Sequence, residues 1–408
     1  MMESVMDALA NGGHRPRLVS FSALDRYCGI RSAPIRWVVS RADLASLAKL
    51  FGDLRFPGPD LAEAAVETAA VENAAAETAA AEGGSASHLD RVVWYFRSED
   101  DNPLPSFPIL DFSWDAVSKA YLDPENLYLV ARGFREGKKP DVEPWWSDLS
   151  ADADRFRAAA EAAVILSRYR GAAPVAEDAA AIHVAVLARA LERLEPRRRP
   201  SPEEQRALLT MLLVSRRSEL GFSLLKKVGY VDALWPELAA MDGVDHSKEY
   251  HPEGNVWEHT LETFRYRKLT DLGLSLGLLL HDVGKPISES SGGRRFDRHA
   301  ELGAVVARNF LTRLGYEQRL IEDVFYFVRN HMMPAALPRL PLTRMQETLE
   351  SPLFPLLLEL YRCDESSSFK GPEGFYESCA AYRTYLRHVK NPYRSADGKK
   401  LMRRLFEK

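Results

Sequence analysis

Leu278-Leu-Leu-His-Asp-Val-Gly-Lys-Pro286 sets a histidine and an aspartate side by side at the end of an apolar run. An unpaired carboxylate in such surroundings costs several kcal/mol or is forced neutral. A cation beside it removes that cost. Groups of the same chemistry recur around the pair: His259 upstream, then His299, His331 and Asp364 downstream, in segments that read as helical or helix-flanking. Six of the ten histidines lie between 246 and 331. Neutral imidazole and carboxylate are the ligands of borderline and hard divalent ions, and a helical scaffold can bring them from separate helices to one point. A lone histidine on an apolar face is more often a core or surface residue, so the adjacent pair carries most of the weight.

The 408 residues exceed the usual reach of one hydrophobic core, which predicts two or three domains. A hydrophobic share of 46% and a charged share of 27% are those of an ordinary globular protein. The net charge of -4 gives no general attraction to nucleic acid or membrane, so a polyanion site has to be local. Cys28, Cys363 and Cys379 are too few and too scattered for a disulfide framework or a cysteine-based zinc site. A reducing compartment follows, with the cytoplasm as the expected location. Met1 to Arg15 contains no apolar core of signal-peptide length, and no window approaches the roughly eighteen apolar residues of a membrane helix.

From Arg17 to Glu143, short apolar runs such as Arg91-Val-Val-Trp-Tyr-Phe96 and Leu127-Tyr-Leu-Val-Ala131 alternate with Pro and Gly, a pattern of strands between short helices. Within it, Ala62 to Glu82 is alanine-rich, and Glu67, Glu72, Glu77 and Glu82 recur at every fifth residue before Gly83-Gly84-Ser85. That step winds the glutamates around a helix and leaves no single face to bury, so an exposed helix or a disordered loop insertion is expected. From Ala151 onward the periods are helical: Arg155 to Arg168, Ala179 to Leu194, and Pro202 to Ser215, the last opening on Pro202-Glu203-Glu204. Arg197-Arg198-Arg199 reads as a solvated turn between helices, with a nucleic-acid contact as the competing reading. Past Trp235-Pro236 an irregular stretch runs to Gly254, helices follow through Lys390, and Lys399 to Phe406 is a short basic amphipathic tail. A mainly α chain with an α/β front portion is the result.

Trp257-Glu-His-Thr260, His281-Asp-Val-Gly-Lys285, Phe296-Asp-Arg-His-Ala-Glu-Leu-Gly-Ala304, Asn330-His331 and Cys363-Asp364 together resemble the HD superfamily of metal-dependent phosphohydrolases. The resemblance implies that His259, His281, Asp282 and Asp364 are the shared metal ligands, and that His299 and His331 hold or support a second ion. Catalytic roles fall on Asp282 and Lys285, with Lys285 contacting substrate phosphate; from the residues alone, Lys285 is equally a charge at a helix C-terminus after Gly284. Arg294, Arg295 and Arg298, beside Gly292-Gly293, are candidate bidentate donors to a phosphate, though each singly is as well explained by loop solubility. The implied cofactor is one or two divalent ions, and a His/Asp set admits Mn, Ni, Fe, Zn or Mg. A divalent ion lowers the pKa of a coordinated water from about 16 toward roughly 7 and offsets phosphoryl charge, which makes phosphoester hydrolysis the matching reaction.

Glu219-Leu-Gly-Phe-Ser-Leu-Leu-Lys-Lys-Val-Gly-Tyr230, Leu234-Trp-Pro-Glu-Leu238 and Glu249-Tyr-His-Pro-Glu-Gly-Asn-Val-Trp-Glu-His-Thr260 look like the neck and HD portions of bacterial tRNA nucleotidyltransferases, the CCA-adding and poly(A) polymerase-like enzymes. Ser40 to Phe51 resembles the helix after their catalytic strand, Val92 to Arg97 a strand of the head, and Asp111-Phe112-Ser113 a later motif. The implied organisation is a nucleotidyltransferase-like α/β head at 1–150 with the Ala/Glu-rich insertion at 62–87, a helical neck at 151–240, an all-α HD domain at 241–390 and a basic tail at 391–408. Nucleotide transfer needs two carboxylates on one strand to hold magnesium, and a Gly-rich turn ahead of them. Ile35-Arg36-Trp37 stands there instead, Gly12-Gly13 leads into His14-Arg15-Pro16, and Arg155 is followed by Ala158 and Glu161 where the family has arginines. The head is therefore expected to be degenerate. The expected activity is metal-dependent hydrolysis of a nucleotide, cyclic nucleotide or RNA-end phosphate, with tRNA or another RNA as a partner and the oligomeric state open. The alternatives are a non-catalytic RNA- or protein-binding pseudoenzyme, and transfer rescued by acids such as Asp43 or Asp111.

Overall fold

The computed structural model describes residues 2–30, 34–57, 62–69, 91–98, 112–123, 154–169, 177–245, 254–290, 296–368 and 371–389. They form two compact units, one holding nearly all of 1–235 and the other nearly all of 236–408. The mixed α/β front and helical remainder expected from the sequence are both present.

The first unit opens on α1 (Met2–Asn11), β1 (Arg17–Val19), α2 (Phe21–Tyr27), β2 (Ile35–Ser40) and α3 (Leu44–Phe51). Strands β3 (Ala64–Ala69), β4 (Arg91–Ser98), β5 (Ser113–Asp115) and β6 (Tyr121–Leu122) complete a six-stranded sheet of order β3-β4-β2-β1-β5-β6. β2 is buried along its whole length and runs parallel to β4, with Trp37 opposite Tyr95; the other pairs are antiparallel. The expectation of an exposed helix or loop insertion fails at its start. Ala64–Ala69 is an edge strand whose backbone pairs with β4, Thr68 accepts from Trp94 Nε1 at 3.0 Å, and Glu67 pairs with Arg55 at 2.6 Å. Pairing with β4 satisfies this backbone without the continuous apolar face a packed helix needs, which outweighs the weak strand preference of alanine. Residues 70–82, Leu127 to Ala131, Asp111 and the basic tail lie outside the described residues.

Helices α4 (Arg155–Arg168), α5 (Glu177–Leu191), α6 (Pro202–Leu213), α7 (Ser218–Lys227) and α8 (Tyr230–Leu234) follow. Asp154 caps α4 through Arg157 N, and Ser201 with Glu204 forms a reciprocal capping box at the start of α6. The last turn of α4 is tied to the sheet through Asp25 on α2. Arg168 donates to its two oxygens at 2.6 and 2.9 Å, Tyr169 Oη at 2.9 Å, and Arg36 on β2 at 3.4 Å. The position between the two carboxylates that transfer would require thus carries a buried guanidinium facing a carboxylate.

The described elements of the second unit, apart from a β-bridge between Asp245 and Asn255, are helices: α9 (Pro236–Ala239), α10 (Val256–Tyr266), α11 (Leu272–Leu280), α12 (Lys285–Ser290), α13 (His299–Arg313), α14 (Gln318–Asn330), α15 (Met333–Ala336), α16 (Gln346–Glu350), α17 (Phe354–Ser366) and α18 (Glu373–Val389), with short 3-10 turns at Ala240–Gly243 and Leu342–Met345. α11 is its axis. All nine residues are buried, as a Leu-Gly-Leu-Ser-Leu-Gly-Leu-Leu-Leu helix whose single polar group, the Ser275 hydroxyl, bonds to Asp271 O allows, and α10, α14 and α17 pack around it. Gly277 lets α14 and α17 close in, since a Cβ there would lie 3.0 Å from Leu360 and 3.1 Å from Phe327. Among the described residues no helix is long and apolar enough to cross a membrane, and Cys28, Cys363 and Cys379 form no disulfide.

Candidate metal centre

The six residues singled out by chemistry converge at helix ends around α11. Asn255 caps α10 through Glu258 N, which places His259 one turn in; His281 and Asp282 follow directly on α11; His299 opens α13; His331 follows the last residue of α14; Asp364 sits near the end of α17. All four histidines and Asp282 are buried, and the Asp364 side chain is 22% exposed. Asp282 lies at the middle. Its Oδ2 is 3.3 Å from His281 Nε2 and 4.0 Å from His259 Nε2, while its Oδ1 is 3.6 Å from His299 Nε2 and 3.8 Å from His331 Nε2. Asp364 Oδ1 faces the first pair, 3.0 Å from His259 Nε2 and 3.9 Å from His281 Nε2. Two groups of donor atoms, His259/His281/Asp282 and Asp282/His299/His331, each lie within 4.8 Å of one another and could hold a metal ion.

Hydrogen bonding fixes the form these ligands take. His281 Nδ1 lies 2.7 Å from Leu278 O, His299 Nδ1 2.8 Å from Phe296 O, and His331 Nδ1 2.7 Å from Val328 O. A carbonyl only accepts, so each Nδ1 carries a proton, and a ring bearing no second proton presents an Nε2 lone pair. Those lone pairs then meet other electron-rich atoms. His299 and His331 oppose Nε2 to Nε2 at 3.1 Å, and His281 Nε2 is buried without a hydrogen-bond partner while facing carboxylate oxygens. Such contacts are repulsive unless a cation lies among them. Ligand bonds of about 2.0–2.2 Å separate neighbouring donors by roughly 3.0–3.5 Å, which matches the closest spacings here, so the residues fit a divalent ion.

Electrostatics favours the ligand forms. Burial pushes the His331 imidazole down to about 4, against the pull of Asp282, and lowers His299 in the same way. Both are neutral at pH 7. Burial opposes ionisation of Asp364, yet the His259 hydrogen bond and the nearby imidazoles hold its carboxyl below the usual carboxylate range. Lys285 Nζ lies 2.6 Å from Asp282 Oδ2 and 5.1 Å from the centre of the Phe296 ring.

Supporting contacts were less legible in the sequence. Ser367 donates to Asp364 O at 2.6 Å, and its Oγ is 3.4 Å from His259 Nδ1; the only local signal is a hydroxyl one turn beyond the aspartate. Gly284 packs backbone to backbone on the first turn of α13, where a Cβ would collide with His299 O and lie 2.5 Å from Gly303 N. Gly284→Ala should therefore displace His299 and weaken metal binding by roughly 10–100-fold; an unchanged affinity in competition with a chelator would show that α13 yields without moving its histidine.

His259, His299 and His331 open onto a cleft of about 450 Å³, whose walls include Lys285, Phe296, Met332, Tyr361 and Glu365. Tyr361 Oη donates to Glu365 at 2.8 Å, and neither residue was among those expected. Arg298 is exposed, with φ 56°, and is not among the residues lining the cleft. Arg294 and Arg295 lie outside the described residues.

Residues 256–362 match the family described as HD domain. The chain therefore contains an HD domain. Asp364 lies two residues beyond the matched range of the HD domain. The chain also resembles tRNA nucleotidyltransferases. It is 37% identical over 145 residues to the CC-adding tRNA nucleotidyltransferase of Thermus thermophilus, covering 34% of this chain and 33% of that one. It is 31% identical over 202 residues to the A-adding tRNA nucleotidyltransferase of Deinococcus radiodurans, with 47% and 45% covered. With the Multifunctional CCA protein of Halorhodospira halophila the identity is 33% over 110 residues, 26% of each chain. The matches thus span less than half the length of these relatives.

Proposed function

We propose that the HD domain is a divalent-metal-dependent phosphohydrolase acting on a phosphate of a nucleotide, a cyclic nucleotide or an RNA end. The observation that carries this reading is the division of Asp282, whose two oxygens face two separate histidine pairs. His259, His281, Asp364 and Asp282 Oδ2 would hold one ion, and His299, His331 and Asp282 Oδ1 a second. Bound there, a divalent ion supplies a nucleophile at neutral pH and offsets charge on the phosphoryl group. Lys285 holds Asp282 by its ammonium and faces the cleft, so it is placed to donate to a phosphate oxygen as well. Activity of the relatives on tRNA supports an RNA end, or tRNA itself, as partner. Three cysteines without a disulfide suit the cytoplasm.

The head is read as degenerate. β2 carries Ile35, Arg36 and Trp37 in place of metal-binding acids, and Asp43 is engaged in capping α3, accepting from Ser46 N at 2.8 Å. No incorporation of CTP or ATP into tRNA is expected.

The test uses the full chain, stripped of metal and reloaded in turn with Mn, Ni, Fe, Zn or Mg. It is offered nucleoside monophosphates, cyclic nucleotides and phosphate-terminated RNA oligomers. Hydrolysis with at least one metal, absent from the stripped protein, is expected. A flat result with every metal sinks the reading, and one tightly enclosed ion without turnover would favour an RNA- or protein-binding pseudoenzyme.

A further inference from the structure

Phe296 occupies a backbone conformation that its side chain makes costly. Its φ is 60°, in the left-handed region, and Arg298 two residues on has φ 56°. The turn is nevertheless fixed from both sides: Phe296 O accepts from His299 Nδ1 at 2.8 Å, and Asp297 O accepts from Ser288 Oγ at 2.5 Å. Glycine would sit at 296 without strain. The position instead carries an aromatic ring that lines the cleft beside the histidines. Met332, immediately after the buried His331, also lines the cleft and is 52% exposed, so its thioether is open to a ligand there. A phosphate group at the histidine cluster needs neither residue. The cleft, at about 450 Å³, has the size of a site for a whole small molecule.

We infer that Phe296 and Met332 form a seat for the nucleobase of the substrate, with its phosphate directed at the histidine cluster. The inference rests on the phosphohydrolase reading and deepens it by naming what lies beyond the phosphate. A flat π-face and a polarisable thioether accept any base by stacking, which is tolerant of sequence and suits a free nucleotide or the terminal nucleotide of an RNA. The ammonium of Lys285 sits over one face of the Phe296 ring, 5.1 Å from its centre, and 2.6 Å from Asp282 Oδ2, which leaves the other face of the ring for the base. It can therefore meet the phosphate of a ligand whose base rests on Phe296.

Equilibrium binding to the manganese-loaded full chain tests the seat, with adenosine 5′-monophosphate, methyl phosphate and a 3′-phosphorylated oligoribonucleotide as probes. The wild type is expected to bind the nucleotide about tenfold more tightly than methyl phosphate. Phe296→Gly, which removes the ring while relaxing the backbone, should erase that preference and leave methyl phosphate within about twofold, whereas Phe296→Trp should keep it. Met332→Ala, which leaves the turn intact, should lose part of it. A preference that survives Phe296→Gly, an equal loss for both small ligands, or no preference in the wild type overturns the inference. Comparing the nucleotide with the oligoribonucleotide tells which source supplies the base. Turnover separates the two readings: a protein that binds the nucleotide preferentially without hydrolysing it sinks the phosphohydrolase, and equal hydrolysis of nucleotide and methyl phosphate sinks the seat alone.

Discussion

Asp282→Asn should empty both halves of the metal centre and lower kcat/KM by roughly a thousandfold or more. The expectation follows from position. Each Asp282 oxygen faces a different pair of histidines, so one substitution removes a charged ligand from both groups. The amide still accepts one hydrogen bond from Lys285, which limits the damage to folding and keeps the effect local. His331→Ala is the informative contrast, because it removes a ligand atom only from the group made by Asp282 Oδ1 and His299. Metal analysis should find about one ion per chain in that variant and none held tightly in Asp282→Asn. Two retained ions in Asp282→Asn would show that the aspartate is not shared.

Asp25→Ala should destabilise the first unit by about 3–5 kcal/mol, the usual cost of stripping the partner from a buried charge. Asp25 is fully buried and receives Arg168, Tyr169 and Arg36, so its loss removes a shared acceptor from two buried guanidiniums and a phenol. Asp25→Asn retains an acceptor and should cost less. Chemical denaturation followed by tryptophan fluorescence measures both, and an Asp25→Ala midpoint equal to wild type would mean that water reaches the site. Metal affinity in the second unit should not change in either variant, which separates a role in the head from any role at the histidines.

The amino-acid sequence by itself determined what depends on residue identity and local period. The ligand set is a matter of side-chain chemistry, and the leucine-rich Leu272–Leu280, the Ser201 capping box and the helix ends carrying His259 and Asp364 are written in a few neighbouring residues. Tertiary structure decided what depends on partners distant in the chain. Asp25 meets Arg168 across 143 positions, and His259 meets Asp364 across 105. Ala64–Ala69 becomes a strand because β4 offers it an edge, which a five-residue glutamate spacing cannot reveal. The same holds within the centre: the apportioning of the Asp282 oxygens, the opposed lone pairs of His299 and His331, and the arrival of Phe296 and Met332 on one cleft are set by how helices pack around α11. Chemistry is local to a residue, whereas direction is imposed on it by the elements packed against it.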